Sequence, residues 1–299
     1  MGYTADMKCV RLSVFSCLLL LFFIVFSAAT AEGAAPVCGF VILAQYPHDA
    51  GSFTQGLAFS DESEDFYEGS GLYGESTLRR VELSTGTVLQ SVDLDASLFG
   101  EGMTVMGEQI FQLSWQENTA LLWDRSTLNQ IGSFSYATEG WGLCDNNRHL
   151  VMSDGSGTLF FRDPLGFELS GSVVVHDGGT AVTHLNELEW VNGEVLANVW
   201  LTDDILRIDP EMGDVIARID LSSLPRPDSA DVLNGIAWDD AGEKLYVTGK
   251  FWPTLYEIQL SDCPELPLFR DGFGFGDTSG WSWSTRGRSA PLEASIYTE

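Results

Sequence analysis

The sequence predicts an all-β chain folded as a five-bladed β-propeller, on three observations. A strand signature recurs as Gln55-Gly56-Leu57-Ala58-Phe59, Glu101-Gly102-Met103-Thr104-Val105, Trp141-Gly142-Leu143, Asn186-Glu187-Leu188-Glu189-Trp190 and Asn234-Gly235-Ile236-Ala237-Trp238, with leading residues 46, 40, 45 and 48 positions apart. That spacing is the period of a four-stranded blade. From Phe40 to Leu260 apolar runs of strand length alternate with turn signals, and no stretch sustains a helical period. The last repeat stops after its third strand, and the missing fourth lies at the other end of the chain as Phe40-Val41-Ile42-Leu43-Ala44-Gln45-Tyr46.

In chain order, the first element is a targeting segment. Lys8 and Arg11 precede an apolar run from Val14 to Phe26, and Ser27-Ala28-Ala29-Thr30-Ala31 offers a small-x-small cleavage site. The run is too short to span a bilayer comfortably. Residues 1–31 are therefore expected to be a cleaved secretory signal, with an uncleaved anchor as the lesser alternative; cleavage gives a secreted or periplasmic protein without membrane attachment. Cys38 is not preceded by a lipoprotein-type box.

The closing strand Phe40–Tyr46 then leads into the repeats. Second strands are predicted at Phe66–Gly71, Ile110–Trp115, Leu150–Gly155, Val195–Trp200 and Leu245–Lys250, and third strands at Thr77–Leu83, Ala120–Asp124, Thr158–Asp163, Asp204–Asp209 and Thr254–Leu260. Turns such as Ser84-Thr85-Gly86 and Glu211-Met212-Gly213 lead to fourth strands at Val88–Leu94, Gln130–Tyr136, Glu168–Val175 and Val215–Leu221. Cys9 and Cys17 leave with the leader. Cys263 ends the third strand of the last blade and Cys38 begins its fourth, where other repeats have a turn, so a disulfide there would close the ring. Cys144 stays free. The propeller spans residues 38–263, and 264–299, rich in Gly, Ser and aromatic residues, reads as a flexible tail.

Composition narrows the function. A formal net charge of −28 repels nucleic acid and anionic membranes. No Cys or His spacing resembles a zinc site, and His48, His149, His176 and His184 form no ligand motif. Ser153 and His184 lack the spacing of a hydrolase triad, and no Gly-rich loop opens a helix to hold phosphate. Asp154-Gly155-Ser156-Gly157 and Asp203-Asp204 suffice as turns without a cation.

In a propeller the first strands line the channel, so Gln55, Glu101, Trp141, Asn186 and Asn234 are expected to ring one mouth. Glu101, preceded by Phe99 and surrounded by aromatic residues, is the candidate acid–base group: partial desolvation would raise its pKa. After the leader the chain has only two lysines, Lys244 and Lys250, and Lys250 ends its second strand at the position held by Trp115 and Trp200 elsewhere. Trp115, Trp141 and Trp200 together suggest walls of a pocket, with Gln55 and Asn186 offering amide groups to it.

These residues fall in motifs that resemble the papaya-type glutaminyl-peptide cyclotransferases: Phe53-Thr54-Gln55-Gly56-Leu57, Phe99-Gly100-Glu101-Gly102, Gln112-Leu113-Ser114-Trp115, Gly140-Trp141-Gly142-Leu143, Leu185-Asn186-Glu187, Ala197-Asn198-Val199-Trp200 and Val247-Thr248-Gly249-Lys250-Phe251-Trp252-Pro253. The resemblance runs from about Phe40 to Leu260. It implies a five-bladed propeller that converts the N-terminal glutamine of peptides or proteins to pyroglutamate and ammonia. It places the acid–base role on Glu101, with Lys250 as a catalytic partner, and substrate contacts on Phe53, Gln55, Trp115, Trp141, Asn186 and Trp200. It implies no required cofactor and no zinc, although some members hold a calcium ion in the channel. A monomer is expected. Two other readings of the residues are a non-catalytic peptide- or glycan-binding propeller, which would not need Glu101 and Lys250, and a metal-dependent lactonase-like propeller, which would need more acids in the leading positions.

Overall fold

The chain divides into two units, Met1–Ala31 and Glu32–Glu299. The computed structural model describes residues 1–2 and 33–264. The expected leader and tail thus fall, but for residues 1–2 and 264, outside the described residues. Among the described residues every regular element is a strand, and no helix is long and apolar enough to cross a membrane.

A long strand, β1 (Val37–Pro47), leads into β2 (Thr54–Ser60), β3 (Asp65–Ser70), β4 (Thr77–Glu82) and β5 (Val88–Asp93), which pair in that order as an antiparallel sheet. A second sheet repeats the order with β6 (Gly100–Met106), β7 (Gln109–Ser114), β8 (Thr119–Asp124) and β9 (Gln130–Ser135). A third has β10 (Leu143–Asp145), β11 (Leu150–Met152), β12 (Thr158–Arg162) and β13 (Leu169–Val174). A two-stranded hairpin, β14 (His176–Asp177) and β15 (Thr180–Ala181), follows. Next come β16 (Leu185–Val191), β17 (Glu194–Val199), β18 (Asp204–Ile208) and β19 (Val215–Asp220), then β20 (Leu233–Asp239), β21 (Lys244–Gly249) and β22 (Thr254–Ser261).

β22 pairs antiparallel with β1 from Gly39↔Ser261 to Pro47↔Thr254, so the start of the chain supplies the outer strand for its end, as predicted. The first residues of β1 also pair in parallel with β19, Val37↔Arg218 and Cys38↔Ile219, which splices two sets of strands into one eight-stranded sheet. Cys38 is bonded to Cys263 beside this splice, and Cys144 is a buried free thiol.

The first strands β2, β6, β10, β16 and β20 neighbour one another in that order, and β20 returns to β2. The core lies between consecutive sheets. Leu196, Ile205 and Ile219 meet Ile236, Leu245 and Ile258, and Val151 and Leu159 meet Leu188 and Leu206; each fully buried aliphatic chain contributes about 1.5–3 kcal/mol. The outer strands β5, β9 and β13 alternate exposed and half-buried residues, which is what one covered face produces. Close approach of the first strands requires glycine at one step in particular: a Cβ on Gly142 would stand 1.9 Å from the carbonyl oxygen of Asn186.

The third sheet departs from expectation. Its first two strands are only three residues each, because Trp141 and Gly142 bond to Ser153 outside a regular ladder, and the Ser153 hydroxyl bridges the Gly142 N–H and the Asn186 carbonyl. The β14–β15 hairpin was not foreseen. Its turn is Gly178-Gly179, both at positive φ, a sequence suited to a two-residue hairpin.

Candidate active site

Four of the five leading residues sit at breaks in strand register. The β2–β3 ladder shifts between Thr54 and Gly56, β6–β7 between Gly100 and Met103, β16–β17 between Leu185 and Leu188, and β20–β21 between Leu233 and Ile236. Gln55, Glu101, Asn186 and Asn234 fall inside these bulges, which free a residue from the ladder and re-aim its side chain. Beyond each bulge the ladder resumes: Gly71, Trp115, Trp200 and Lys250 donate their backbone N–H to the carbonyls of Phe53, Phe99, His184 and Val232. Leu72, Leu201 and Phe251, each following one of these donors, take positive φ of 90°, 67° and 58°. Such conformations are costly for side chains of this size and gather where function constrains the backbone.

The polar groups form one chain. Asn234 Nδ2 donates to the Thr54 carbonyl (2.9 Å) and to Gln55 Oε1 (3.2 Å), and Gln55 Nε2 donates to Glu101 Oε1 (2.9 Å). Asn186 Oδ1 and Asn234 Oδ1 are buried without a hydrogen-bond partner, two acceptors available to a ligand that brings N–H groups. Glu101 is 5 % exposed. Burial pushes its carboxyl well above the ordinary range, opposed by Lys250 and reinforced by Glu139 and Glu117. Lys250, 4 % exposed, has Nζ 4.4 Å over the ring of Phe53; burial lowers its pKa against the pull of Glu101 and Asp231.

The segment that carries Phe53 is anchored from below. Buried Glu68 accepts from Ser52 Oγ (2.6 Å) and Thr54 Oγ1 (2.8 Å) and meets His48 (3.1 Å) and Arg79 (2.6 Å). Burial alone would raise the Glu68 pKa, but His48 and Arg79 hold it far below the usual range. The Ser52 carbonyl receives the Phe251 N–H, which ties this network to the residue after Lys250.

Aromatic rings form the walls. Trp200 meets Trp141 edge-on (5.5 Å between centroids), Trp115 meets Phe99 (5.6 Å), and Phe99 meets Phe53 (6.1 Å) and Tyr73 (5.3 Å); Phe53 in turn meets Phe251 (5.3 Å). Gly155 lies against Trp141, where a Cβ would come 2.5 Å from the indole carbons. The indole N–H groups of Trp115 and Trp141 both donate to Glu139 Oε2, at 2.9 and 3.0 Å. Phe53, Gln55, Glu101, Trp115, Trp141, Trp200 and Lys250 are thus linked by direct contact, or through Glu139 and Phe99, and Asn186 touches the same region through Ser153 and Gly142. Phe99, Tyr73, Phe251 and Glu139 join them without having been expected as site residues. The signal for Phe99 and Phe251 was their place in the motifs that carry Glu101 and Lys250; Glu139 stands two before Trp141.

Among the described residues no group of three or more His, Cys, Asp or Glu side chains converges to hold a metal ion. Two further acids of the first strands accept from backbone amides: Glu187 from Leu57 (3.3 Å) and Ile236 (2.8 Å), and Glu189 from Trp238 (3.1 Å). A hollow of about 600 Å³ beside Cys263, bordered by Leu43, Trp238, Lys244 and Leu260, contains none of the predicted catalytic or substrate-contact residues.

Comparison with known proteins places the chain among glutamine cyclotransferases. Residues 17–260 match the family model described as glutamine cyclotransferase. The chain is 42% identical over 229 residues to a glutaminyl-peptide cyclotransferase of Arabidopsis thaliana, covering 74% of this chain and 71% of that protein. It is similar to the crystal structure of Myxococcus xanthus glutaminyl cyclase, with a TM-score of 0.69 and 36% identity, over 76% of this chain and 98% of that one.

Proposed function

The chain belongs to the glutamine cyclotransferase family, and from that premise we propose that it closes the N-terminal glutamine of peptides or proteins to pyroglutamate, with Glu101 as the acid–base group. The observation that carries the reading is a carboxylate that is buried, raised in pKa, held by Gln55 and opposed by one buried lysine, all beside an aromatic wall. A carboxyl raised above its ordinary range is what a proton relay needs.

The substrate's α-amine attacks its own side-chain amide carbon. The reaction is intramolecular, so the enzyme's task is to hold a folded-back conformer, for which rigid aromatic walls are suited. Phe53, Trp115, Trp141 and Trp200 enclose the glutaminyl residue. As the new C–N bond forms, Glu101 takes the amine proton; as the old C–N bond breaks, it returns that proton to the leaving nitrogen, which departs as ammonia. Lys250 and the amide N–H groups of Gln55 and Asn186 stabilise the oxygen on which negative charge develops. The free Asn186 and Asn234 oxygens accept from the substrate's nitrogen atoms. The relay needs no metal or organic cofactor. In the same reading, residues 38–263 form one five-bladed propeller that acts as a monomer after export and removal of residues 1–31.

Ammonia release from a glutaminyl dipeptide, with and without chelator, tests the function. Glu101→Gln should lower kcat by about 10²–10⁴-fold, the usual worth of a positioned acid–base group, with little change in KM. Full activity in that variant would refute the mechanism.

A further inference from the structure

The aromatic wall has one gap. From Trp200 to Trp141, and from Trp115 through Phe99 and Phe53 to Phe251, each step is a ring–ring contact. Between Trp115 and Trp141 the step is made by a carboxylate. One oxygen of Glu139 receives both indole N–H groups, at 2.9 and 3.0 Å, while its other oxygen takes the Gln116 amide at 3.1 Å. The two tryptophans come from different sheets: Trp115 follows β7 and Trp141 precedes β10.

We propose that Glu139 is a positioning residue: by holding two indoles on one oxygen it fixes the separation of the Trp115 and Trp141 walls, and with it the fit of the substrate's N-terminal residue. The backbone supports that function, because the next residue, Gly140, donates its N–H to the Trp115 carbonyl at 2.8 Å. Tyr136 reinforces the same short segment: a Cβ on Gly140 would stand 2.2 Å from its hydroxyl oxygen. Glu139 is therefore presented to both rings from a fixed turn. Its own carboxyl is held below the ordinary range, with the Trp141 hydrogen bond as the largest cause and Trp115 and Gln116 adding to it, so it stays an acceptor at neutral pH. Glu139 is half-buried at the rim and outside the hydrophobic clusters. Its loss should disturb the pocket more than the fold.

The inference rests on the cyclotransferase reading, and the experiment separates the two. Ammonia release and dipeptide binding by tryptophan fluorescence are measured for wild type, Glu139→Gln and Glu139→Ala, with melting temperature as control. Glutamine keeps an oxygen that can accept both indoles; alanine keeps none. Glu139→Ala should lose at least about 10-fold in kcat/KM, since small misplacements in a folded-back reaction are expensive. Glu139→Gln should recover activity to within about threefold of wild type, and all three should melt alike. The charge of Glu139 also acts on Glu101, alongside Lys250 and Glu117. If that were its role, Glu139→Gln would be as impaired as Glu139→Ala with a shifted pH profile, and the positioning role would be overturned. Unimpaired Glu139→Ala overturns it too. A wild type that releases no ammonia overturns both this and the functional reading.

Discussion

Replacing both Cys38 and Cys263 by serine should lower the melting temperature and leave the catalytic rate intact. The bond joins residues 225 apart in sequence. A loop of that length gives a chain-entropy stabilisation of about 5 kcal/mol, a ceiling that native bonds usually approach only in part, at about 2–4 kcal/mol. The β1–β22 ladder survives in the variant and keeps the two ends in register. For a domain of this size 1 kcal/mol shifts the transition by about 2–4 °C, so the double variant should melt roughly 5–15 °C lower. The bond lies beyond the far end of β22, whose near end follows Lys250 by four residues. At about 3.3 Å per residue the two are about 25 Å apart. Turnover at 25 °C should therefore stay within about twofold of wild type, because sites so distant couple weakly. Calorimetry and ammonia release on one preparation are sufficient. A melt coincident with wild type would mean that the strand ladder alone closes the ring and that the entropic reasoning is wrong.

Lys250→Met removes the cation that opposes the burial shift of Glu101. The Glu101 pKa should rise further, so the acid limb of the kcat/KM profile should move to higher pH, measured alongside circular dichroism; an unmoved limb would remove Lys250 from the site. Glu189 is half-buried, and burial, then Asp145, push its carboxyl well above the ordinary range. A folded pKa above the unfolded one means that stability is present at low pH and lost as pH rises from the usual carboxylate range toward the folded value. Glu189→Gln should thus flatten the loss of unfolding free energy as pH rises above the usual carboxylate range, by up to about 1.4 kcal/mol per pH unit, and an unchanged slope would show that Glu189 titrates normally.

Much of this architecture could be read in the sequence because its period, its alternation and its turns are local properties. The second strands predicted to begin at Phe66, Ile110, Val195 and Leu245 each begin one residue earlier, and the outer strands β5, β9, β13 and β19 match within a residue, whereas the closing strand expected at Phe40–Tyr46 begins at Val37. The closing strand was visible because one repeat lacked its fourth member. Register breaks were not visible. Nothing local distinguishes Gln55 or Asn186 in a bulge from the same residue in a regular ladder, since the shift is defined only against the partner strand. The shortening of β10 and β11 had the same origin, in Ser153 bonding to a neighbouring sheet. Glu139 was missed for a different reason: an acid in a loop reads as solvated until two indoles from separate sheets are found on one of its oxygens. The buried Glu68 network likewise joins residues from β3, β4 and the loop before β2, and it is assembled only by the fold.

The splice of β1 onto both β19 and β22 orders events during folding. Each of the three separate four-stranded sheets is a run of local hairpins, fast to form because little chain must be organised first. β1 is made first and must wait for partners that come last: Tyr46 Oη donates to Glu257, 211 residues further on. Until then its backbone is an unpaired edge, and Val41 and Leu43 remain exposed on it even in the finished molecule. In a crowded refolding mixture the β22 that arrives first can belong to another chain. An exchange of β1 between two molecules would make the same ladder, both disulfides and two complete sites, so the route to a domain-swapped dimer is set by where this ring opens.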